Sequence, residues 1–189
     1  MENYRKFIKH LSNSQSPKEF LNSDEDHALV IFEQLFSQAK KDIRIFAGSL
    51  CCDSDKNYHV ANDSQYISAL SEFVERGGKV KIILNDFNPV AAVKSNLMRR
   101  LLYYKVEFHD RIEIKTTTTK LSYKEDVEQK SIHFTVIDNN AYRIETNIEQ
   151  RSATGSFNNE EVAVGLIRIF DDIYQNKSQN LDIVKLFSN

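Results

Sequence analysis

Residues 65–84 read QYISALSEFVERGGKVKIIL, and this stretch decides the fold class. Its first part predicts a helix over residues 65–76, because apolar side chains recur there at helical spacing: Ile67, Leu70, Phe73 and Val74. Gly77-Gly78 ends the helix, since glycine readily adopts the backbone conformation that follows a helix. Residues 79–84 (KVKIIL) then predict a strand. A helix, a glycine break and a strand in direct succession indicate an α/β domain.

The same patterns predict further elements on both sides of this stretch. Further helices are predicted over residues 3–11, 24–40, 89–102 and 159–174, with a final short one around Leu181, Val184 and Phe187. Further strands are predicted over residues 42–47, 106–108, 112–117, 132–138 and 141–145, and residues 119–130 are predicted to form a polar surface loop. We therefore expect an α/β fold whose sheet is mixed and mostly parallel, with helices on both sides.

Composition limits the class of protein. The chain has 189 residues, 41% of them hydrophobic and 28% charged, which is typical of one globular domain. A net charge of −2 argues against a protein whose whole surface binds nucleic acid. The sequence shows neither a signal peptide nor a long apolar run, and Cys51 and Cys52 are adjacent, which suits reduced structural thiols better than a disulfide or a zinc site. We expect a cytoplasmic protein that does not bind membranes.

The chain is expected to divide into three parts. Residues 1–23 form an N-terminal helical extension, residues 24–176 the main domain, and residues 177–189 a C-terminal helix. The sequence contains no internal repeat, so any two-fold arrangement needs a second chain.

Three segments carry the candidate chemistry. His133-Phe134-Thr135 lies inside a predicted strand, Asp138 lies at its end, and Gly155-Ser156-Phe157-Asn158 precedes a long predicted helix. Their order resembles the phospholipase D superfamily, whose signature is His-x-Lys-x4-Asp followed by Gly-Ser-x-Asn. The order of helices and strands over residues 24–84 also resembles the first half of such a domain.

This resemblance implies phosphodiester chemistry without a metal or another cofactor. The family uses a nucleophilic histidine and a second histidine that protonates the leaving oxygen, and members with one motif bring the two together in a homodimer. By position His133 matches that histidine, Ser156 and Asn158 match the phosphate-binding pair, and Gly155 supports the motif.

The sequence departs from the family signature at two positions. Thr135 stands where the family has lysine, and the strict aspartate position is Asn140, with Asp138 two residues early. Removing one preorganised donor typically lowers the rate about 10²–10³-fold. Arg143 on the next predicted strand, or Lys130 just before His133, is a candidate to replace the lysine as a phosphate-binding cation.

Each of these features also has a structural interpretation. His133 fits a histidine packed in a strand, and Asn158 with Glu161 three residues later fits a helix cap.

Asn85-Asp86 follows a strand, where open α/β sheets often place functional groups. Three basic pairs are candidates for a binding groove or for ordinary solvated surface: Lys40-Lys41, Lys79/Lys81 and Arg99-Arg100.

Two functions of different class follow. The first is a degenerate, non-catalytic phospholipase D-like module that binds a phosphate-bearing ligand, a nucleic acid or a partner protein, as one subunit of a larger bacterial-type system. The second is a metal-independent phosphodiesterase, most plausibly a nuclease, that acts as a homodimer through His133. Phospholipid hydrolysis ranks third, because no membrane-docking segment is evident.

Overall fold

A computed structural model describes residues 1–51, 60–125, 128–147 and 152–188 of the chain. In these ranges the helices are α1 Glu2–Asn13, α2 Glu25–Gln38, α3 Ser64–Glu75, α4 Pro89–Ala92, α5 Asn96–Glu107, α6 Glu160–Asn176 and α7 Ile183–Phe187, with a 3-10 turn at Val60–Asn62. The strands are β1 Phe20–Asn22, β2 Asp42–Ala47, β3 Lys79–Leu84, β4 Ile112–Thr116, β5 Ser122–Glu125, β6 Glu128–Ser131, β7 His133–Ile137, β8 Ala141–Asn147, β9 Ser152–Ser156 and β10 Gln179–Asn180.

Within the described ranges, eight of these strands form one mixed sheet in the order β1-β9-β8-β7-β2-β3-β4-β10. The prediction of a mixed α/β sheet between helices is confirmed, but the prediction that it is mostly parallel is wrong. Parallel pairing is limited to β2 with β3 and β3 with β4. The other neighbours are antiparallel, because β7, β8 and β9 follow one another as hairpins and the short strands β1 and β10 run back along the two edges.

Two hydrophobic cores cover the two faces of the sheet. On one face, α2, α3 and α5 pack on the inward residues of the central strands, which include Ile45 and Ile82. On the other face, α6 packs on residues such as Phe46 and Phe134. This alternation follows from the strand period of two, which sends successive side chains to opposite faces. Helix α1 joins the first core through Ile8, which is fully buried.

The elements that decided the fold class lie where the sequence predicts them. Strands β2 and β3 have the predicted bounds, and α3 begins and ends one residue earlier than predicted. Asp24 caps α2 by accepting a hydrogen bond from the backbone N–H of His27. Gly77 follows α3 with a φ of 102°, in the region that favours glycine.

Three predicted segments are wrong. The helix predicted over residues 89–102 is two helices, because Ser95 caps α5 by accepting from the backbone N–H of Met98. Residues 106–108 are not a strand, since α5 continues to Glu107 while burying Tyr104 on the core. Within residues 119–130, the predicted polar loop contains the hairpin strands β5 and β6, whose base is closed by a backbone hydrogen bond from Ile132 to Leu121.

Candidate functional site

His133 stands at the edge of the sheet where the parallel strands end. It is the first residue of β7 and packs over Gly48, which directly follows β2. A Cβ on Gly48 would lie 3.4 Å from Cε1 and 3.6 Å from Nε2 of the imidazole, and 4.0 Å from Cβ of Asp86. Ligands of open α/β sheets commonly bind at this edge. The imidazole therefore lies in the expected place for a functional group, with 19% of its side chain exposed.

Glu145 is the direct partner of His133. The two residues pair across β7 and β8, and the imidazole Nδ1 lies 3.6 Å from Oε2 of the carboxylate. A carboxylate on this side of the ring helps to fix its orientation. No sequence motif singles out Glu145, although the predicted hairpin contains the signal: His133 and Glu145 are equidistant from Asn139 in the turn.

Arg143 lies on the same face of the sheet as His133, two pairs further along the hairpin. It pairs with Thr135, which is buried, and Arg143 itself is 5% exposed. Its Nε and Nη2 donate to Oδ1 of Asn22 at 3.0 and 2.8 Å. The same Nη2 lies 3.5 Å from Oε1 of Glu145. Burial lowers the pKa of Arg143, and the charge of Glu145 opposes that shift.

The guanidinium of Arg143 is thus already bound by Asn22 and lies beside Glu145. Its carbon also lies 4.9 Å from the ring centre of Phe32, a cation–π contact under the sheet. A phosphate would have to displace Asn22 or Glu145 to gain bidentate contact with Arg143. The side chain of Lys130, the other sequence candidate, lies outside the described part of the structure.

Ser156 and Asn158 are not brought together with His133. Ser156 pairs with Tyr142, whose side chain belongs to the core under α6, so Ser156 faces the opposite side of the sheet. Its hydroxyl is buried and accepts from the backbone N–H of Asn158. Asn159, and not Asn158 as the sequence suggests, caps α6 by accepting from Val162.

The start of α6 lies at the wrong end of the sheet for His133. The backbone N–H of Asn159 donates to the carbonyl of Asn140 at 2.7 Å, so this helix end abuts the β7–β8 turn. His133 begins β7 at the other end of that strand. Gly155 lies within β9 and pairs with Arg143, which gives it a place in the sheet and not in a ligand-binding turn.

Asp138 also lies at the turn end of β7, away from His133. Its carboxylate accepts from three successive backbone N–H groups, those of Lys40 (3.0 Å), Lys41 (2.8 Å) and Asp42 (3.0 Å). Its own φ is 51°, in the left-handed region that aspartate tolerates better than most residues. Asp138 therefore joins the β7–β8 turn to the α2–β2 connection.

Replacing Asp138 by alanine is expected to lower the free energy of unfolding by about 2 kcal/mol, since three backbone donors lose a charged acceptor. Urea unfolding followed by far-UV circular dichroism measures this in a chain without tryptophan. Asp138→Asn keeps the tolerance of positive φ and one acceptor oxygen, so it should lose about half as much. An alanine variant as stable as the wild type would show that water replaces the carboxylate at no cost.

Lys120, which no sequence motif singles out, lies at the same sheet edge. Lys120 Nζ donates to the backbone carbonyl of Asn85 at 2.7 Å, and Asp86 follows directly, with its backbone N–H 3.3 Å from the carbonyl of Gly48. The edge therefore combines His133 with Glu145, Asp86 and Lys120. The two carboxylates of this set oppose the approach of an anion.

The segment after β2 is held by its own hydrogen bonds. Leu50 has a φ of 53°, an uncommon value for a branched residue, and Cys51 is buried with its thiol 3.1 Å from the carbonyl of Ser49. Cys52 lies outside the described residues. Over the described ranges, no group of three or more His, Cys, Asp or Glu side chains is placed to hold a metal ion. In the same ranges every helix is too short or too polar to cross a membrane.

The fold is similar to those of several solved structures. Nuc from Salmonella typhimurium, a phospholipase D family member, matches with a TM-score of 0.56 at 15% identity, over 87% of this chain and 99% of Nuc. NucT from Helicobacter pylori matches with a TM-score of 0.55 at 13% identity, over 85% of this chain and 97% of NucT. The chain has a phospholipase D-like fold. The resemblance that the sequence motifs indicated is therefore confirmed at the level of the fold.

The chain is also similar to a solved DNA-binding protein. TrmBL2, an archaeal chromatin protein with a novel mode of DNA binding, matches with a TM-score of 0.57 at 12% identity. The match covers 93% of this chain and 62% of TrmBL2. No family model and no curated protein sequence matches the chain.

Proposed function

We propose that this chain is a non-catalytic phospholipase D-like module that binds nucleic acid without cleaving it. The observation that carries the proposal is the lack, among the described residues, of a free cation at and beside the lysine position of the motif. Thr135 occupies the lysine position and is buried, and the neighbouring guanidinium of Arg143 is already engaged by Asn22 and Glu145. Neither side chain offers the free positive charge that a phosphoryl transition state requires.

The placement of the remaining motif residues supports the same proposal. Ser156 lies on the opposite face of the sheet from His133, and Asn158 lies at the opposite end of the hairpin. Phosphoryl transfer depends on donors that are fixed around one reacting centre, so dispersed donors do not add to one another. Glu145 and Asp86 beside His133 further disfavour a phosphate at this edge.

Similar folds occur in proteins of different classes. Nuc is a phospholipase D family member, and TrmBL2 is a chromatin protein that binds DNA. The second of these supports the idea that the scaffold can serve binding. Fold-level likeness is an analogy, and the residues of this chain decide between the functions.

The proposal predicts no turnover in a cleavage assay. Single- and double-stranded DNA, RNA and a generic phosphodiester are incubated in EDTA with the wild type and with His133→Ala. We expect both proteins to leave all substrates intact, while the wild type binds one of the nucleic acids in a fluorescence anisotropy titration. Cleavage by the wild type that His133→Ala lowers tenfold or more would overturn the non-catalytic assignment.

A second candidate function, a metal-independent phosphodiesterase that acts as a homodimer through His133, is favoured by two contacts. Glu145 holds Nδ1 of the imidazole, as the orienting partner of a nucleophile would, and Lys120 supplies a cation at the same sheet edge. In that case EDTA-resistant cleavage would be lost in both His133→Ala and Lys120→Ala. Light scattering of the wild type would then have to give the mass of a dimer, because one chain supplies one motif histidine.

A further inference from the structure

The His133 edge gives a nucleic acid little to bind, so the proposed binding function needs a surface elsewhere on the chain. The three basic pairs that the sequence offers differ in what surrounds them. Lys79 is paired with Asp110, and Lys81 packs over the ring of Tyr174. The exposed pair Lys40-Lys41 lies in the connection that Asp138 fixes.

Arg99 and Arg100 are the pair that lies in a groove. Both are exposed on α5, and within the described ranges neither guanidinium has an ion-pair or hydrogen-bond partner. The groove runs between α3 and α5, is open to solvent and has a volume of about 720 Å³. Two unpaired guanidiniums on consecutive residues, beside a concave surface, suit a phosphate.

An exposed aromatic ring, that of Tyr103, lies beside Arg99 and Arg100 on the α5 side of the groove. Tyr103 is 53% exposed, and the guanidinium carbon of Arg100 lies 6.0 Å from its ring centre. Tyr103 lies four residues after Arg99 and therefore on the same side of α5. An exposed ring of this kind is a platform for a nucleobase, because stacking is favourable for every base.

The opposite wall of the groove accepts hydrogen bonds. It carries Glu72 and Glu75 of α3, of which Glu75 accepts from the hydroxyl of Tyr104 and Glu72 lies 3.5 Å from the hydroxyl of Ser68. Carboxylates can accept from base N–H groups and ribose hydroxyls, but they repel a continuous line of phosphates. One cationic wall and one anionic wall fit a ligand with a phosphate at one side and hydrogen-bond donors at the other.

We infer that the α3–α5 groove binds one nucleotide unit, with its phosphate on Arg99 and Arg100 and its base against Tyr103. A purely acidic peptide is disfavoured because it would face Glu72 and Glu75. A second protein is disfavoured because glutamate is depleted at the centre of protein interfaces, whereas Glu72 and Glu75 line this groove. The nucleotide can come from a single strand or from a free mononucleotide, and the two share this chemistry.

The test is a fluorescence anisotropy titration of labelled eight-residue single strands of DNA and RNA, repeated with AMP, GMP, CMP and UMP as competitors. The double variant Arg99→Ala/Arg100→Ala should weaken binding at least about tenfold, because it removes two charged donors. Lys40→Ala/Lys41→Ala is the matched control, since it removes the same charge from the surface outside the groove, and it should change affinity less than about twofold. Thermal unfolding verifies that all variants are folded.

Substitutions at Tyr103 distinguish the contribution of base stacking to the affinity from that of charge. Tyr103→Ala should weaken binding about fivefold or more, whereas Tyr103→Phe keeps the ring and should bind as the wild type does. Competition by mononucleotides would identify a free nucleotide as sufficient, and competition by strands alone would identify a strand; both outcomes support the site.

Other outcomes overturn the site. Equal losses in the arginine and lysine variants would reduce the effect to overall charge, and unchanged affinity in the arginine variant would place binding elsewhere. In both cases the proposed binding function would stand while this groove would not. If the arginine variant changes the mass measured by light scattering and not the affinity, the groove is a protein interface. A wild type that binds no nucleic acid and no nucleotide would overturn the groove and the proposed binding function together.

Discussion

Replacing Arg143 by methionine is expected to lower the free energy of unfolding by about 3–5 kcal/mol, the usual cost of breaking a buried ion pair from one side. The substitution leaves the carboxylate of Glu145 with less compensation in a buried setting, and it removes both donors from Oδ1 of Asn22. The ring of Phe32 loses its cation as well. Urea unfolding of the two proteins measures the difference.

The matched control is the same substitution in an exposed pair. Arg5 lies 2.6 Å from Glu33, with side chains that are 44% and 40% exposed. Surface pairs contribute about 0–1 kcal/mol, so Arg5→Met should cost no more than that. Arg143→Met/Glu145→Gln should recover part of the loss, since no uncompensated carboxylate then remains. A loss below 1 kcal/mol in Arg143→Met would mean that the guanidinium is dispensable for the fold, and a ligand-binding role for it would regain support.

The buried state of Arg143 marks the limit of what the hairpin pattern predicts. The sequence predicts two strands around Asn139-Asn140, and strand alternation then places Arg143 on the face of His133. It does not predict that Asn22 reaches the guanidinium, because β1 is only three residues long and pairs with a strand 131 positions away in the register Asn22↔Ala153. Contacts of this range depend on tertiary packing, which local patterns do not carry.

Strongly apolar segments were predictable, and short or polar ones were not. Strands β2 and β3 are apolar and central, so their bounds could be derived from the sequence. Strands β5 and β6 are polar, and β10 has two exposed residues. These strands pair through their backbones without an alternation of apolar and polar residues. The sequence therefore predicts a loop over residues 119–130.

The candidate site shows the same division. The motif match identified His133 at an edge where ligands commonly bind, but it also joined Ser156 and Asn158 to it by sequence order alone. Deciding which face Ser156 occupies requires knowing that it is the last residue of a strand paired with β8, and a Gly-Ser step also fits a turn. The short motif therefore indicated the fold, whereas Ser156 and Asn158 lie away from His133 in the structure.

Gly155→Ala tests whether Gly155 lies in a strand or in a ligand-binding turn, because the two positions predict opposite effects on the free energy of unfolding. In the structure a Cβ on Gly155 would lie 2.2 Å from the carbonyl oxygen of Tyr142 and 2.6 Å from the ring of Phe20. The first contact is with backbone of the neighbouring strand, which cannot move without breaking the sheet. We expect the free energy of unfolding to fall by about 3 kcal/mol or more, at the upper end of overpacking effects.

Gly165→Ala in α6 is the control for this substitution. Apart from the backbone of α6 itself, no atom of the described residues lies within 4 Å of a Cβ at Gly165, so alanine should stabilise the helix by about 0.5–1 kcal/mol. Opposite signs for the two glycines, measured by urea unfolding, would place Gly155 in the sheet and remove it from any ligand-binding turn. If Gly155→Ala is instead as stable as the wild type and loses only nucleic-acid binding, the Gly-Ser-x-Asn segment is a binding element and the strand assignment of β9 is wrong.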